Sequence, residues 1–399
     1  LVHYFSGWVL HQAGRKEEAL AAFCRAAALP PGTSFPNQLE SVLALQTAQR
    51  LNPGDAYAPY LLGNFWYAHH RYSEAMQAWE TASELDPTFP TAWRNLGLAY
   101  FNKLADPERA RQVYETAHHL APGDARIFFE LDQLYKKLNL PPDVRLSHLT
   151  ARPDLVDARD DLTIEYINLL LVLNRQEEAL EILTRRKFYP WEGGEGKVTG
   201  AYVDCLVECA RIAIQQGDPS AAVVFLERAR LYPPNLGEGK LYGALENHIL
   251  YYLGESYSAL GQKERAKDWF MRASIGLSEP TSAMFYNDQP PHMIFYQGLA
   301  LSKLGREADA KAIFTRLVQY GQDHLSDTVQ VDYFAVSLPD FLVFDEDLTL
   351  RNQIHCHYMT GLGRLGLGEI QKAAAAFDWV LSRNANHSGA HLHKRLLSN

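Results

Sequence analysis

The sequence predicts an all-α protein in which helix hairpins stack into a right-handed superhelical solenoid. Three observations carry the expectation. The chain has 399 residues, more than one compact core of ordinary size holds. Small and aromatic residues recur at fixed helical spacings. Two adjacent copies, keyed on Gly63 and Gly97, lie 34 residues apart, a period typical of helical repeats.

The clearest copy runs Trp93, Leu96, Gly97, Tyr100, then Ala110, Tyr114, Ala117 and Pro122. The copy before it has Leu62, Gly63, Trp66, Ala75, Trp79, Ala82 and Pro87. Gly and the first Ala fit the crossing of two antiparallel helices, where only small side chains allow close approach. Aromatics fill the space beside the crossing, and Pro ends the second helix. This spacing resembles the tetratricopeptide repeat closely. That family implies a curved surface that binds peptides or other domains.

The same logic gives about nine hairpins. Gly7 and Phe23 mark the first, and a lone amphipathic helix over 39–51 follows it. Phe128, Leu131, Tyr135 and Ala151 mark a degenerate fourth, and Tyr166 and Ala179 a fifth. Ala210 and Leu226 mark the sixth, Gly254 and Phe270 the seventh, Gly298 and Phe314 the eighth, and Gly361 and Phe377 the ninth. Residues 1–160 are read as an N-terminal set of repeats. Residues 161–399 are read as a continuous C-terminal set with long inter-repeat loops.

Composition narrows the function. Hydrophobic residues make up 47% and charged residues 21%, as in a folded soluble chain. A net charge of −9 without a basic run argues against nucleic acid. No apolar stretch has the length of a membrane span. Four cysteines form no disulfide framework, so a reducing, cytoplasmic setting is expected. The apolar start, 1–14, lacks a basic leader, and a first residue other than Met suggests a piece of a longer protein.

The interruptions of the repeat carry the candidate binding residues. Gly254 to Gly298 spans 44 residues and Gly298 to Gly361 spans 63, so loop sequence is inserted there. Four segments stand out. The first, 188–197, offers Trp191, Glu192 and Glu195. The second, 232–240, offers Asn235, Glu238 and Lys240. Both end in Gly-Glu-Gly-Lys. The third, 284–293, offers Asn287, Asp288, Gln289 and His292. The fourth, 332–341, offers Asp332, Tyr333 and Asp340, with Asn352 and His355 after it. Aromatic faces beside carboxylates and amides suit peptide or carbohydrate recognition. The plainer reading is that Gly-Glu-Gly turns favour a helix start and Pro-Pro pairs stop helices.

Other chemistries fit poorly. Gly-Glu-Gly-Lys lacks the remaining positions of a phosphate loop: Val198 and Leu241 stand where Ser or Thr is needed. His355, Cys356 and His357 are adjacent, so they point apart, and no second Cys/His pair has ligand spacing. No cofactor or metal is expected. A clamp for a C-terminal carboxylate would use Tyr60, Asn64, Asn95, Arg126 and Glu130, and Glu130 would repel its ligand. Loop acids such as Glu192 and Glu195 would serve a glycosidase only as a pair at suitable separation.

The loop strings carry a narrower resemblance. Trp93-Arg-Asn-Leu-Gly-Leu-Ala-Tyr-Phe-Asn-Lys103, Pro190-Trp-Glu-Gly-Gly-Glu-Gly196, Asn235-Leu-Gly-Glu-Gly-Lys240, Asn287-Asp-Gln-Pro-Pro291 and Asp332-Tyr-Phe-Ala-Val-Ser-Leu-Pro-Asp340 resemble the C-terminal repeat region of large bacterial proteins. In that family a β-rich part similar to the galactose-mutarotase sandwich precedes the repeats. The resemblance implies a link to bacterial carbohydrate metabolism. The expected role is therefore a non-catalytic scaffold that docks a partner protein or its own β-rich domain. The alternative is part of a carbohydrate-active site built from loop carboxylates.

Overall fold

The repeat pattern works because each aromatic sits on a glycine. In the computed structural model, which describes residues 1–32, 34–282, 288–329 and 343–398, a Cβ at Gly63 would lie 2.3 Å from the Trp79 ring. A Cβ at Gly7 would lie 2.5 Å from Phe23, at Gly254 2.4 Å from Phe270, at Gly298 2.4 Å from Phe314 and at Gly361 2.6 Å from Phe377. No side chain is tolerated at such distances. The glycine of the first helix is thus the seat of the aromatic of the second. The crossing alanines Ala19, Ala75, Ala110 and Ala373 are fully buried beside it.

The described residues form 21 α-helices and no strand. The chain divides into two compact units, 1–138 with 343–345, and the remainder. Unit 1 begins with the hairpin α1 (Val2–Gln12) and α2 (Lys16–Ala27), followed by the lone helix α3 (Leu39–Leu51). Two hairpins follow, α4 (Tyr57–Ala68) with α5 (Tyr72–Leu85), and α6 (Pro90–Leu104) with α7 (Pro107–Leu120). Helix α8 (Ala125–Lys137) packs on α7.

Unit 2 opens with α9 (Pro142–Thr150) and the short α10 (Pro153–Asp157), both against α11 (Asp160–Val172). Helix α11 pairs with α12 (Gln176–Arg185), and α13 (Lys197–Gln215) with α14 (Pro219–Ala229). Then come α15 (Asn247–Ala259) with α16 (Lys263–Ala273), α17 (Pro291–Lys303) with α18 (Glu307–Asp323), and α19 (Leu348–Gly366) with α20 (Ile370–Arg383). A last helix, α21 (Ser388–Lys394), had no counterpart in the repeat pattern.

Helix starts follow local chemistry. Asp106, Asp124, Asp218 and Asp347 accept hydrogen bonds from backbone N–H groups of the first turns of α7, α8, α14 and α19. Pro107 and Pro219 occupy the first helical position, where no N–H is required.

Unit 2 closes on itself. The first helices α11, α13, α15, α17 and α19 touch one another in series and so line its inner face. Asn139 donates to Ser382 O at 3.0 Å, and Arg145 Nη1 to Asn386 Oδ1 at 3.0 Å. Arg395, beyond α21, donates to Leu171 O and Val172 O at 2.9 and 2.8 Å. The last residues of the unit thereby return to its first helices. Among the described residues no helix is long and apolar enough to cross a membrane.

Gly63→Ala tests the seat of the aromatic. Alanine normally favours a helix over glycine by about 1 kcal/mol. At Gly63 the collision with Trp79 reverses that, with a net loss of roughly 1–3 kcal/mol. Gly200, in α13, has no atom near its would-be Cβ, so Gly200→Ala is expected to raise the melting temperature while Gly63→Ala lowers it. Equal effects in thermal unfolding would contradict this.

Candidate functional site

Helix α6 continues past its last core aromatic, Tyr100, with Phe101, Asn102 and Lys103 before it ends at Leu104. Asn102 faces a short stretch of later chain, Val343–Asp345, which belongs to unit 1. Its Nδ2 donates to Val343 O at 2.9 Å, and its Oδ1 accepts from the N–H of Asp345 at 2.8 Å. One side-chain amide thus pairs with both main-chain groups flanking Phe344. The Phe344 ring is 1% exposed. It meets Phe101 and Tyr114 edge-on, at centroid distances of 5.0 and 5.5 Å. Lys103 Nζ pairs with Asp345 at 3.1 Å, and Lys103 also lies over the Tyr72 ring. Main-chain pairing, an aromatic slot and one counter-charge together hold this short segment.

The polar residues weighed for a carboxylate clamp pair with one another instead. Asn64 Oδ1 accepts from Trp79 Nε1 and from Asn95 Nδ2, both at 3.1 Å. Glu130, 1% exposed, is held by Arg94 and Arg126 and by the Tyr114 hydroxyl.

The two Gly-Glu-Gly-Lys loops of unit 2 meet. Asn235 Nδ2 donates to Leu183 O and Arg186 O, both at 2.8 Å, and Phe188 N donates to Asn235 O at 2.7 Å. Glu238 accepts from Gly196 N at 3.1 Å and from Thr199 Oγ1 at 3.3 Å. The carboxylate of the second loop therefore caps helix α13, which follows the first. Gly237 has a φ of +81°, and a Cβ there would lie 2.7 Å from Phe188 O. Lys240 pairs with Glu246 at 2.6 Å and with Arg230 O at 3.0 Å. Trp191 is half-buried, its ring lying over Gly194. Glu192 and Glu195 are exposed.

Gln289 is buried and donates to Leu277 O at 3.2 Å; Asp288 beside it is half-buried. Asn352 donates to His324 O, and His355 Nε2 lies 2.8 Å from Thr281 O. His357 stacks on Trp379, away from His355. Asn287, Asp332, Tyr333 and Asp340 lie outside the described residues. His292 faces the inner side of unit 2, with its ring centroid 5.8 Å from those of His248 and His393.

Three segments match family models. Residues 67–103 match the model described as TPR repeat. Residues 248–274 and 293–320 match models described as tetratricopeptide repeat. The last two coincide with the hairpins α15/α16 and α17/α18. The chain carries tetratricopeptide repeats.

Solved structures share the likeness at low identity. YrrB, titled a TPR protein with an unusual peptide-binding site, is 17% identical, with 58% of this chain and 90% of that one covered and a TM-score of 0.32. Naa15/Naa10 bound to HypK-THB is 13% identical, covering 96% of this chain and 64% of that one, with a TM-score of 0.40. A tetratricopeptide repeat protein from Parabacteroides merdae is 14% identical, covering 75% and 100%, with a TM-score of 0.34.

Sequence reasoning passed over Asn102 and Phe344. Phe101, Asn102 and Lys103 extend a tetratricopeptide helix beyond its last consensus aromatic, where packing makes no demand for them. That surplus was the available signal. It did not reveal the partner, which lies some 240 residues away.

The inner histidines of unit 2 make stability depend on pH. Burial pushes His248 down to about 3, and His387 and His393 to about 4. Burial raises the Asp204 carboxyl to about 7. Each lowered histidine stabilises the fold fully above its unfolded value near 6.5, and that stability is lost as pH falls toward the folded value. Asp204 works the other way: its contribution is greatest below about 4 and is lost as pH rises through 7. Three histidines outweigh one carboxyl. Moving from pH 7.5 to 5.5 is expected to remove about 2 kcal/mol and lower the melting temperature by roughly 4–8 °C. A melting temperature that holds or rises over this range would contradict the assignment.

Proposed function

We propose that the protein is a binding scaffold for other proteins, and that unit 1 receives a short segment with an aromatic residue followed by an acidic one. The Asn102 clamp carries this reading. It pairs with the main-chain groups on either side of one residue, so it recognises backbone rather than a particular side chain. The slot between Phe101 and Tyr114 and the charge of Lys103 then select the side chains. Val343–Asp345 occupies the receptor in cis. A partner segment competes with it at the high effective concentration of a tethered ligand.

An extended segment of a β-rich neighbour has this form. That domain, in a bacterial setting tied to carbohydrate metabolism, remains within the proposal on the strength of the loop resemblance. The loop acids lend less support to a carbohydrate-active site, because Glu238 is engaged as a helix cap.

The test is a labelled peptide with the sequence of residues 343–347 titrated into the full chain. The Phe344→Ala variant vacates the slot and is expected to bind it at least about tenfold more tightly than the unaltered chain. Adding Asn102→Ala is expected to weaken binding about tenfold, as two main-chain hydrogen bonds are lost. Equal affinity with and without Asn102 would overturn the reading.

A further inference from the structure

Unit 2 encloses a cavity that repeat packing does not require. Its volume is about 110 Å³, between α13, α15, α17, α19 and α21. Asp204 and Glu208 of α13, His248 of α15, His292 of α17 and His393 of α21 form its polar wall. Tyr296 and Tyr358 add aromatic surface; Val207, Leu392 and Leu396 add apolar surface.

The charges on this wall are unevenly matched. Glu208 is paired twice, with Arg211 at 3.0 Å and with Arg395 at 2.9 Å. Asp204 has neither hydrogen bond nor ion pair among the described residues, and its only charged influence is Glu208. His248 and His393 are 4% and 5% exposed, yet His248 Nδ1 and His393 Nε2 have no partner. His393 Nδ1 lies 2.7 Å from Gly389 O, which can only accept. The same Nδ1 lies 3.1 Å from the Tyr358 hydroxyl, which can donate or accept; the shorter contact to the carbonyl assigns the proton to Nδ1 and leaves a lone pair on Nε2. The two histidine nitrogens are buried and unpaired, and such groups are costly unless something satisfies them; Asp204 is half-buried and faces the same space.

What satisfies them must bring donors. A metal ion needs its ligands converged on a point, and no group of three or more His, Cys, Asp or Glu among the described residues is so placed. The acceptors instead surround a void with tyrosine rings on its wall. Aromatic faces and a lone carboxylate are the surroundings that attract an ammonium group. We propose that this cavity binds a small organic ammonium ion, with Asp204 as its counter-charge, His393 Nε2 as an acceptor and Tyr296 and Tyr358 as ring faces. Arg211 and Arg395 are held on Glu208, and the histidines are neutral. Binding leaves Asp204 ionised: sites that hold the carboxyl protonated release that proton to solvent as the ammonium enters, and sites already ionised gain a counter-ion. The apolar wall of Val207, Leu392 and Leu396 takes the alkyl part.

The test is calorimetric titration of the full chain with ethylammonium chloride and with tetramethylammonium chloride, against sodium chloride at equal ionic strength. Saturable binding of at least one ammonium probe in the millimolar range or tighter is expected. Repeating it in two buffers of different ionisation enthalpy near pH 7 should report release of about half a proton per site. Asp204→Asn keeps the shape and is expected to weaken binding tenfold or more. Val207→Phe fills the void and is expected to abolish binding. Absence of saturable binding up to about 10 mM, or unchanged affinity in either variant, would overturn the proposal.

Discussion

Six of the hairpins depend on an aromatic ring lying where a Cβ would otherwise be. At Gly7, Gly63, Gly97, Gly254, Gly298 and Gly361 the first helix of a hairpin gives up a side chain so that the second can set a ring against its backbone. The exchange favours folding: a glycine in a helix costs up to about 1 kcal/mol, whereas a fully buried aromatic contributes several times that. The constraint also fixes the register of each hairpin, since the ring must fall on the glycine. Successive hairpins in the same register place their first helices side by side.

Both candidate sites grow from those first helices. In unit 1, α6 runs one turn past Tyr100 and uses the surplus to hold the short segment around Phe344. In unit 2, the inner faces of α13, α15, α17 and α19 come round to meet α21. Polar side chains there gather about a void rather than in a continuous core. The repeats supply rigid spacing, and residues that the repeats do not need supply the chemistry.

The sequence made the hairpins legible because their signal is local. Gly63 and Trp79 are 16 residues apart, as are Gly254 and Phe270, and each pair can be read without knowing anything beyond its own hairpin. The lone helix at Leu39–Leu51 was legible for the same reason. The candidate loops were harder. Glu238 and Asn235 stood out as polar residues near aromatics, but a carboxylate that caps a helix and one that awaits a ligand have the same sequence signature. The Phe344 slot and the cavity were not legible at all. Phe344 meets its receptor across most of the chain. Asp204, His248, His292 and His393 lie on four separate helices, and only the closure of unit 2 brings them together.

A double-mutant cycle on Gly254 and Phe270 addresses the central constraint most directly. Phe270 supplies each of the three atoms nearest to a Cβ at Gly254. Chemical denaturation would give the stability of Gly254→Ala in the native background and in Phe270→Leu. If the ring is what forbids the Cβ, Gly254→Ala destabilises the first and is neutral or stabilising in the second, with a coupling of at least about 1 kcal/mol. Additive effects of the two substitutions would contradict the account.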